Sequence, residues 1–162
     1  MKVFCDLDGV LVDFDGGFLD TFKVSTKSVK TSELWKLIGS KGEDYWVNLP
    51  PMADYVDLWR FIEPYYPTIL TGLPMNKAIA KSGKKRWCYR NLPGCWNFIA
   101  TKSSEKQFHM EEKGDILIDD REENCERWTA AGGRAIFHTS ADNTIIQLKD
   151  LNLIQKTNSF SW

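Results

Sequence analysis

Acidic residues stand at two places in the sequence where a short apolar run ends. The first run leads into Asp6 and Asp8, and the run 116–118 ends directly in Asp119 and Asp120. If the two runs are neighbouring strands, four carboxylates meet at one edge of a sheet. Two like charges about 4 Å apart cost roughly 4 kcal/mol at an effective dielectric of 20, and a hard cation with oxygen ligands removes that repulsion. The spacing therefore predicts a site for Mg²⁺.

Composition and charge narrow the class of protein. The chain has 162 residues with 43% hydrophobic and 27% charged residues, which fits one globular domain. A formal net charge of −1 and the absence of a long basic run argue against a protein that coats nucleic acid. The four cysteines show no paired spacing, so we expect reduced thiols. The two histidines are far apart in sequence, which disfavours a His-based metal site and a Ser/Cys–His catalytic pair. The early acidic residues and the lack of a long apolar run predict a cytoplasmic location.

The elements that position the carboxylates can be predicted from short apolar runs. Runs of this kind, each ending in polar or small residues, predict buried parallel strands at 2–5, 68–70, 96–100, 115–118 and 135–137. Helical spacing follows between them, with Asn76 as the cap of a helix ending near residue 90, then helices at 122–131 and 142–151. The alternation predicts an α/β fold, Rossmann-like, with three layers and a five-stranded parallel sheet.

The connection between the first two strands is unusually long. It contains about 60 residues, far more than a crossover helix requires. Helical spacing at 14–22, 32–38 and 52–62 predicts a small helical cap, residues 15–65, inserted in a single domain that spans 1–162. The cap is expected over the carboxyl edge of the sheet, where open α/β sheets bind ligands.

Four segments resemble, in order and across nearly the whole chain, the four motifs of the haloacid dehalogenase (HAD) superfamily of phosphotransferases. They are the segments 6–11, 69–72, 104–107 and 118–121. The closer resemblance is to the 5′(3′)-deoxyribonucleotidase family, which has a similar opening DxDGVxxDF, an aromatic run before Leu-Pro like 45–51, and an ending like 116–121. One difference follows Thr71: that family has Ser-Pro after this threonine, whereas the chain has Gly72 and then Leu-Pro. A phosphate-binding hydroxyl is therefore missing, while the Gly72 N–H remains.

The resemblance implies a phosphomonoester hydrolase that needs Mg²⁺. Asp6 would attack phosphorus and form an aspartyl phosphate. Asp8 would protonate the leaving oxygen and then activate water. The metal would be held by the Asp6 carboxylate, the Asp8 carbonyl, the Asp120 carboxylate and water, while Asp119 would act through a water or orient the other ligands.

The resemblance also assigns the groups that bind the phosphoryl oxygens. Thr71, the Gly72 N–H and Lys106 would supply hydrogen bonds and positive charge, with Lys102 as the alternative lysine. Lys84 lies where the nucleotidase family carries a phosphate-facing lysine. A solvated helix face is the favoured interpretation of the cluster around it, and a phosphate role stays open.

Substrate selection is expected to depend on the cap. Phe14 and Trp46 are candidates to pack against a nucleobase or sugar, with Tyr45 less favoured, and a core role is open for each. Trp35 and most other tryptophans are interpreted as packing residues. The predicted partner is a small phosphate ester, in first place a nucleoside monophosphate, with no membrane and no extended nucleic acid. A homodimer stays open.

Three other functions remain open at this point. A polynucleotide 3′-phosphatase shares the motif ending in Ile-Asp-Asp-Arg, but the near-neutral charge disfavours a basic groove for a strand end. A phosphatase of another small metabolite is the second. A non-catalytic binding module is the third, and the presence of both Asp6 and Asp8 disfavours it. The sequence does not predict the base, the sugar or the position of the phosphate.

Overall fold

The five predicted strands form one parallel sheet. The computed structural model describes residues 1–74 and 77–153, so the predicted cap residue Asn76 lies outside the described residues. The sheet order is β3-β2-β1-β4-β5, which places the first strand at the centre. The strands are β1 (Val3–Cys5), β2 (Thr68–Gly72), β3 (Asn97–Thr101), β4 (Ile116–Asp119) and β5 (Arg134–Phe137). The predicted α/β fold with a five-stranded parallel sheet is confirmed.

The register of the central strands brings the acidic residues together. Val3 pairs with Ile116, and Cys5 pairs with Ile118. The Asp6 N–H continues this ladder with a hydrogen bond of 2.8 Å to the carbonyl of Ile118. Because β1 and β4 are parallel neighbours, the carboxylates that follow them project from the same edge of the sheet.

The helices form layers on both faces of the sheet, with a group of them between β1 and β2. The α-helices of the described residues are α1 (Phe14–Phe22), α2 (Thr31–Lys41), α3 (Glu43–Val47), α4 (Tyr55–Ile62), α5 (Lys77–Asn91), α6 (Glu122–Ala130) and α7 (Ala141–Asp150). Helix α3 was not predicted, while the helices predicted at 14–22, 32–38 and 52–62 correspond to α1, α2 and α4. Among the described residues, no helix combines the length and the apolar character needed to cross a bilayer.

Alternation along the strands divides the core between the two faces. On one face Phe4, Leu70 and Leu117 pack around Trp128 of α6, with the rings of Phe4 and Trp128 5.1 Å apart. On the other face Cys5 and the remaining buried strand residues join a larger core built from the helical region after β1, together with α5 and α7. This three-layer packing holds the carboxyl edge of the sheet in a fixed position.

Candidate active site and metal centre

Three of the predicted carboxylates form a cluster at the carboxyl edge of the sheet. Asp6 follows β1, Asp119 ends β4, and Asp120 comes next in the chain. Each contributes one oxygen, and these oxygens all lie within 4.8 Å of one another. Burial, followed by the nearby charges of Asp6 and Asp119, raises the pKa of Asp120 to about 7. The cluster therefore concentrates negative charge where water is largely excluded.

The surroundings of the cluster fit a hard divalent cation. Carboxylate oxygens are the ligands that Mg²⁺ prefers, and it commonly keeps several waters besides one or two of them. The turn after β1 approaches Asp120 so closely that a Cβ on Gly9, at φ +78°, would lie 2.1 Å from an Asp120 carboxylate oxygen. Only glycine permits this approach at that backbone conformation. Asp6, Asp119 and Asp120 could thus hold Mg²⁺.

Asp119 differs from the other two because both of its oxygens already accept hydrogen bonds. Lys106 Nζ lies 2.6 Å away, and Asn124 Nδ2 lies 3.1 Å from each oxygen. The backbone N–H of Arg121 adds a bond of 3.0 Å. The side chain is fully buried. This set of partners favours the orienting role for Asp119 over direct metal coordination.

Lys106 lies where the third motif predicts a lysine. Its Nζ is 2.9 Å from Asp6 Oδ1 and 2.6 Å from Asp119 Oδ2. Burial opposes its charge, but these two carboxylates raise its pKa above the ordinary value, so Lys106 is a cation at neutral pH. An ammonium has three donors, and within the described residues the third is left for a ligand in the cavity. The alternative, Lys102, pairs with Glu105 at 3.1 Å on the surface.

Lys84 is buried, contrary to the favoured interpretation of a solvated helix face. Its side chain is 2% exposed, and Nζ lies 2.5 Å from Asp8 Oδ2, 3.1 Å from Thr71 Oγ1 and 2.7 Å from the Gly72 carbonyl. Three donors therefore meet three acceptors. The Trp46 ring lies 5.0 Å from the same ammonium, within the range of a cation–π contact.

The position of Lys84 has a signal in the sequence. Helix α5 buries Ala80, Gly83, Trp87 and Cys88, which recur at helical spacing along one face. Lys84 falls inside this stripe. A lysine on the apolar face of an amphipathic helix indicates a buried partner, whereas Lys85, outside the stripe, is exposed.

Asp8 is held by one oxygen and free at the other. Oδ2 pairs with Lys84, while Oδ1 is buried and has no hydrogen-bond partner among the described residues. Asp8 also lines the cavity, so its carboxyl group could exchange a proton with a ligand there. Asp6 is fixed by its own Oδ1, which accepts a bond of 2.7 Å from the Leu7 N–H and also contacts Lys106. In the part of the chain that the structure describes, Asp6 Oδ2 has no hydrogen bond or ion pair.

The carboxylates and lysines face a cavity of about 520 Å³. Phe14, Trp35 and Trp46 form an aromatic wall on the side of the helical region after β1. The rings of Phe14 and Trp46 are stacked with centroids 6.0 Å apart. Trp35, expected only to pack, also lines the cavity, so its role was incompletely predicted. Tyr45 meets Phe14 edge-on at 6.2 Å and is buried beside this wall.

Two further predicted residues lie at the end of β2. Gly72 lines the cavity. Thr71 is fully buried, and its hydroxyl contacts Lys84 Nζ, so it lies beneath the cavity wall rather than on it. The structure therefore brings Gly72 to the predicted place and links Thr71 to the site through Lys84.

Comparison by sequence finds no protein-family model and no curated protein that matches the chain. Comparison by structure finds many similar folds at low identity. A hydrolase from Streptococcus pneumoniae TIGR4 is 14% identical with a TM-score of 0.54, over 94% of this chain and 98% of that one. A putative beta-phosphoglucomutase from Thermotoga maritima is 12% identical with a TM-score of 0.57, over 93% and 100%.

A third similar structure comes from Deinococcus radiodurans R1. It is a HAD-family hydrolase with bound phosphate and sodium, 11% identical with a TM-score of 0.53 over 91% of this chain and 87% of that one. None of these three structures is described as a nucleotidase. At such identities the likeness concerns the fold alone: the fold of this chain is similar to that of solved HAD-family hydrolases.

Proposed function

We propose that the protein is a Mg²⁺-dependent phosphomonoester hydrolase that works through an aspartyl phosphate on Asp6. The observation that carries the proposal is the contact of Asp6 with Lys106, 2.9 Å apart, inside a cluster of carboxylates at the carboxyl edge of the sheet. A carboxylate nucleophile, a cation for the phosphoryl oxygens and a metal site then surround one point. The HAD-like fold supports this reading as an analogy.

In the first step Asp6 Oδ2 attacks phosphorus, and the bond to the leaving oxygen breaks. Lys106 holds Asp6 through Oδ1 and directs its remaining N–H to a phosphoryl oxygen, with the Gly72 N–H as a second donor. Bound Mg²⁺ would neutralise charge on the phosphoryl group, held by Asp6, the Asp8 carbonyl and Asp120. Asp8 gives a proton to the leaving oxygen. Thr71 contributes by holding Lys84.

In the second step water attacks the aspartyl phosphate. Asp8, now a carboxylate, takes a proton from that water, and inorganic phosphate leaves while Asp6 is regenerated. Lys84 keeps Asp8 in one orientation through both steps, because its three donors all bond to fixed acceptors. Asp119 keeps Lys106 and the metal ligands aligned.

For the substrate we propose a nucleoside monophosphate, as in 5′(3′)-deoxyribonucleotidases. The cavity of about 520 Å³ has the size of a small-molecule site. The half-buried rings of Phe14 and Trp35 offer flat surfaces for a base, with the buried Trp46 stacked on Phe14 to support them. Stacking of this kind contributes about 1–3 kcal/mol per base. These residues come from the helical region after β1, which supports a cap role for residues 15–65.

The proposal is tested by phosphate release from a panel of substrates, with Mg²⁺ and with EDTA. The panel holds 5′- and 3′-monophosphates of ribo- and deoxyribonucleosides, sugar phosphates and a 3′-phosphorylated oligonucleotide. We expect metal-dependent release from mononucleotides, abolished in Asp6→Asn and retained in the control Asp20→Asn, which changes an exposed aspartate of α1.

Other outcomes of the same panel lead elsewhere. Release from the oligonucleotide alone would favour a strand-end phosphatase, and release from sugar phosphates alone would favour another small metabolite. No release from any substrate by folded protein with Mg²⁺ would contradict the phosphatase proposal itself.

A further inference from the structure

A serine hydroxyl stands beside Gly72 at the edge of the cavity. Ser103 follows β3 and begins the 3-10 helix Ser103–His109 that also carries Lys106. A Cβ on Gly72 would lie 3.4 Å from Ser103 Cβ, so the two positions touch across neighbouring strand ends. Because Gly72 has no side chain, nothing from that position shields Ser103 from the cavity that both residues line.

Asn124 fixes how this hydroxyl can hydrogen-bond. Asn124 Nδ2 lies 3.1 Å from both oxygens of Asp119, and a carboxylate only accepts, so the amide nitrogen must face Asp119. The same Nδ2 lies 3.1 Å from Ser103 Oγ. Its second hydrogen is therefore directed at Ser103, whose oxygen accepts. The hydrogen of Ser103 is left for another acceptor.

That other acceptor changes when an anion is present. Without a ligand, the Ser103 hydroxyl can turn to Asn124 Oδ1, which is 3.2 Å away. Asn124 Oδ1 also accepts from Arg127 Nη1 at 3.3 Å, so it does not depend on Ser103 for a partner. A phosphoryl oxygen carries negative charge and is the stronger acceptor.

Such a donor is needed because few others reach the cavity. Lys84 has used its three donors, and the Thr71 hydroxyl is fully buried against it. Lys106 retains one N–H. Among the described residues that line the cavity, Ser103 is the only one whose side chain carries a hydroxyl. Arg121 also lines the cavity, but its side chain is 59% exposed and lies 3.9 Å from Glu123. Three phosphoryl oxygens can accept more hydrogen bonds than Lys106 and the Gly72 N–H supply.

We propose that Ser103 binds the phosphoryl group of the substrate through its hydroxyl, and that Asn124 positions that hydroxyl; this rests on the proposed phosphatase function. The chain Lys106–Asp119–Asn124–Ser103 then sets two phosphoryl-binding groups at a fixed distance from each other. A shift of Asp119 would move both donors together.

The test compares Ser103→Ala with Ser103→Thr in a mononucleotide phosphatase assay, with inorganic phosphate as an inhibitor. A hydrogen bond to a charged group corresponds to a change of about 10- to 100-fold. We expect Ser103→Ala to lower kcat/KM and weaken phosphate inhibition by that factor, and Ser103→Thr to restore both to within about threefold. Ser104→Ala, at an exposed neighbouring serine, is the matched control and should change neither.

Asn124 is tested through a double-mutant cycle with inorganic phosphate as the probe. Asn124→Ala should weaken phosphate inhibition in the wild-type background and have a smaller effect in the Ser103→Ala background, because the residue acts through Ser103. Equal effects in the two backgrounds would remove Asn124 from the proposal.

The outcomes separate this inference from the proposed function. Wild-type activity with kcat/KM and phosphate inhibition unchanged in Ser103→Ala overturns the inference and leaves the phosphatase proposal standing. A folded wild-type protein without activity on any substrate of the panel overturns both.

Discussion

Two buried lysines have different roles at the site, because they differ in how many of their N–H donors already bond to the protein. Lys84 and Lys106 are both 2% exposed. All three N–H groups of Lys84 bond to Asp8, Thr71 and Gly72. Two N–H groups of Lys106 contact carboxylates, and the third has no such contact among the described residues. We infer that Lys84 positions Asp8 while Lys106 touches the substrate.

This division predicts the behaviour of Lys84→Met. Without the ammonium, Asp8 loses its orientation, and small displacements of a catalytic group can cost about 10²-fold in rate. We expect kcat to fall by about that factor while KM changes little. Three acceptors lose their partner, so the free energy of unfolding should fall by about 1–3 kcal/mol. Steady-state kinetics and urea unfolding measure the two effects.

The matched control for Lys84 is its neighbour in sequence. Lys85 is exposed and lies over the Tyr89 ring at 5.5 Å, so Lys85→Met should change stability by no more than about 0.5 kcal/mol. A Lys84→Met variant that raised KM and kept kcat would argue instead for direct phosphate binding by Lys84.

At the scale of elements, the contact of α3 with α5 sets the position of the aromatic wall. A Cβ on Gly83 would lie 2.5 Å from Trp46 Cβ and 3.1 Å from the Glu43 carbonyl. The two helices thus touch along their backbones. Arg86 strengthens the contact through a bond of 2.9 Å to Glu43. Trp46 can reach the cavity wall because Gly83, which has no side chain, lets α3 and α5 pack this closely.

Two glycine substitutions should therefore have opposite effects. Alanine favours a helix over glycine by about 1 kcal/mol, but at Gly83 the methyl group meets Trp46 and Glu43 and should destabilise by about 1–3 kcal/mol net. Gly39 of α2 has nothing within 4 Å of its Cβ position, so Gly39→Ala should stabilise by about 0.5–1 kcal/mol. Thermal unfolding measures the stability of both variants. A Gly83→Ala variant more stable than wild type would show that α3 can move away from α5 to make room for the methyl group.

The strands were predictable because their apolar runs end abruptly, while α3 was not because it is short. Residues 43–47 offer too few positions to show a helical period, and this segment depends on packing against α5. The carboxylates and Lys106 were found from local motifs. Lys84 was misread because its partners, Asp8 and the end of β2, lie far away in sequence.

For the whole molecule, the carboxylate cluster predicts a link between metal and stability. Three neighbouring carboxylates repel one another in the folded state, so Mg²⁺ should raise the free energy of unfolding by about 2.7 kcal/mol at a concentration 100 times its Kd. Asp120→Asn should stabilise the metal-free protein and lose this response. Thermal unfolding with EDTA and with Mg²⁺ tests both, and an unchanged response in Asp120→Asn would place the metal elsewhere.

A second prediction for the whole molecule concerns pH. His138, on the connection from β5 to α7, is buried, with Nδ1 2.8 Å from Thr144 Oγ1 and Nε2 without a partner among the described residues. Burial lowers its pKa, an effect that Asp54 partly opposes. Well above pH 6.5, from about pH 7.5, the ring is neutral in both folded and unfolded states. Below it the unfolded chain takes up a proton first, so stability falls as pH falls.

The size of this effect has an upper bound of about 1.4 kcal/mol per pH unit. Urea unfolding between about pH 5.5 and 6.5, in wild type and in His138→Asn, measures it against the ordinary histidine value of about 6.5. The variant should show the shallower slope. His109 is present in both proteins and cancels, so equal slopes would mean that folding leaves the pKa of His138 unchanged.

The central position of β1 in the sheet also has a consequence for folding during synthesis on the ribosome. The centre of the sheet is complete only when β1 has paired with β4, for example Val3 with Ile116. Strands β2 and β3 are synthesised before β4. Residues leave the ribosome in chain order, so Asp6 emerges early, whereas Asp119 and Asp120 emerge late. Until β4 emerges, β1 can pair with β2 but its other edge has no partner, so we expect chaperones to bind nascent chains that are stalled before β4.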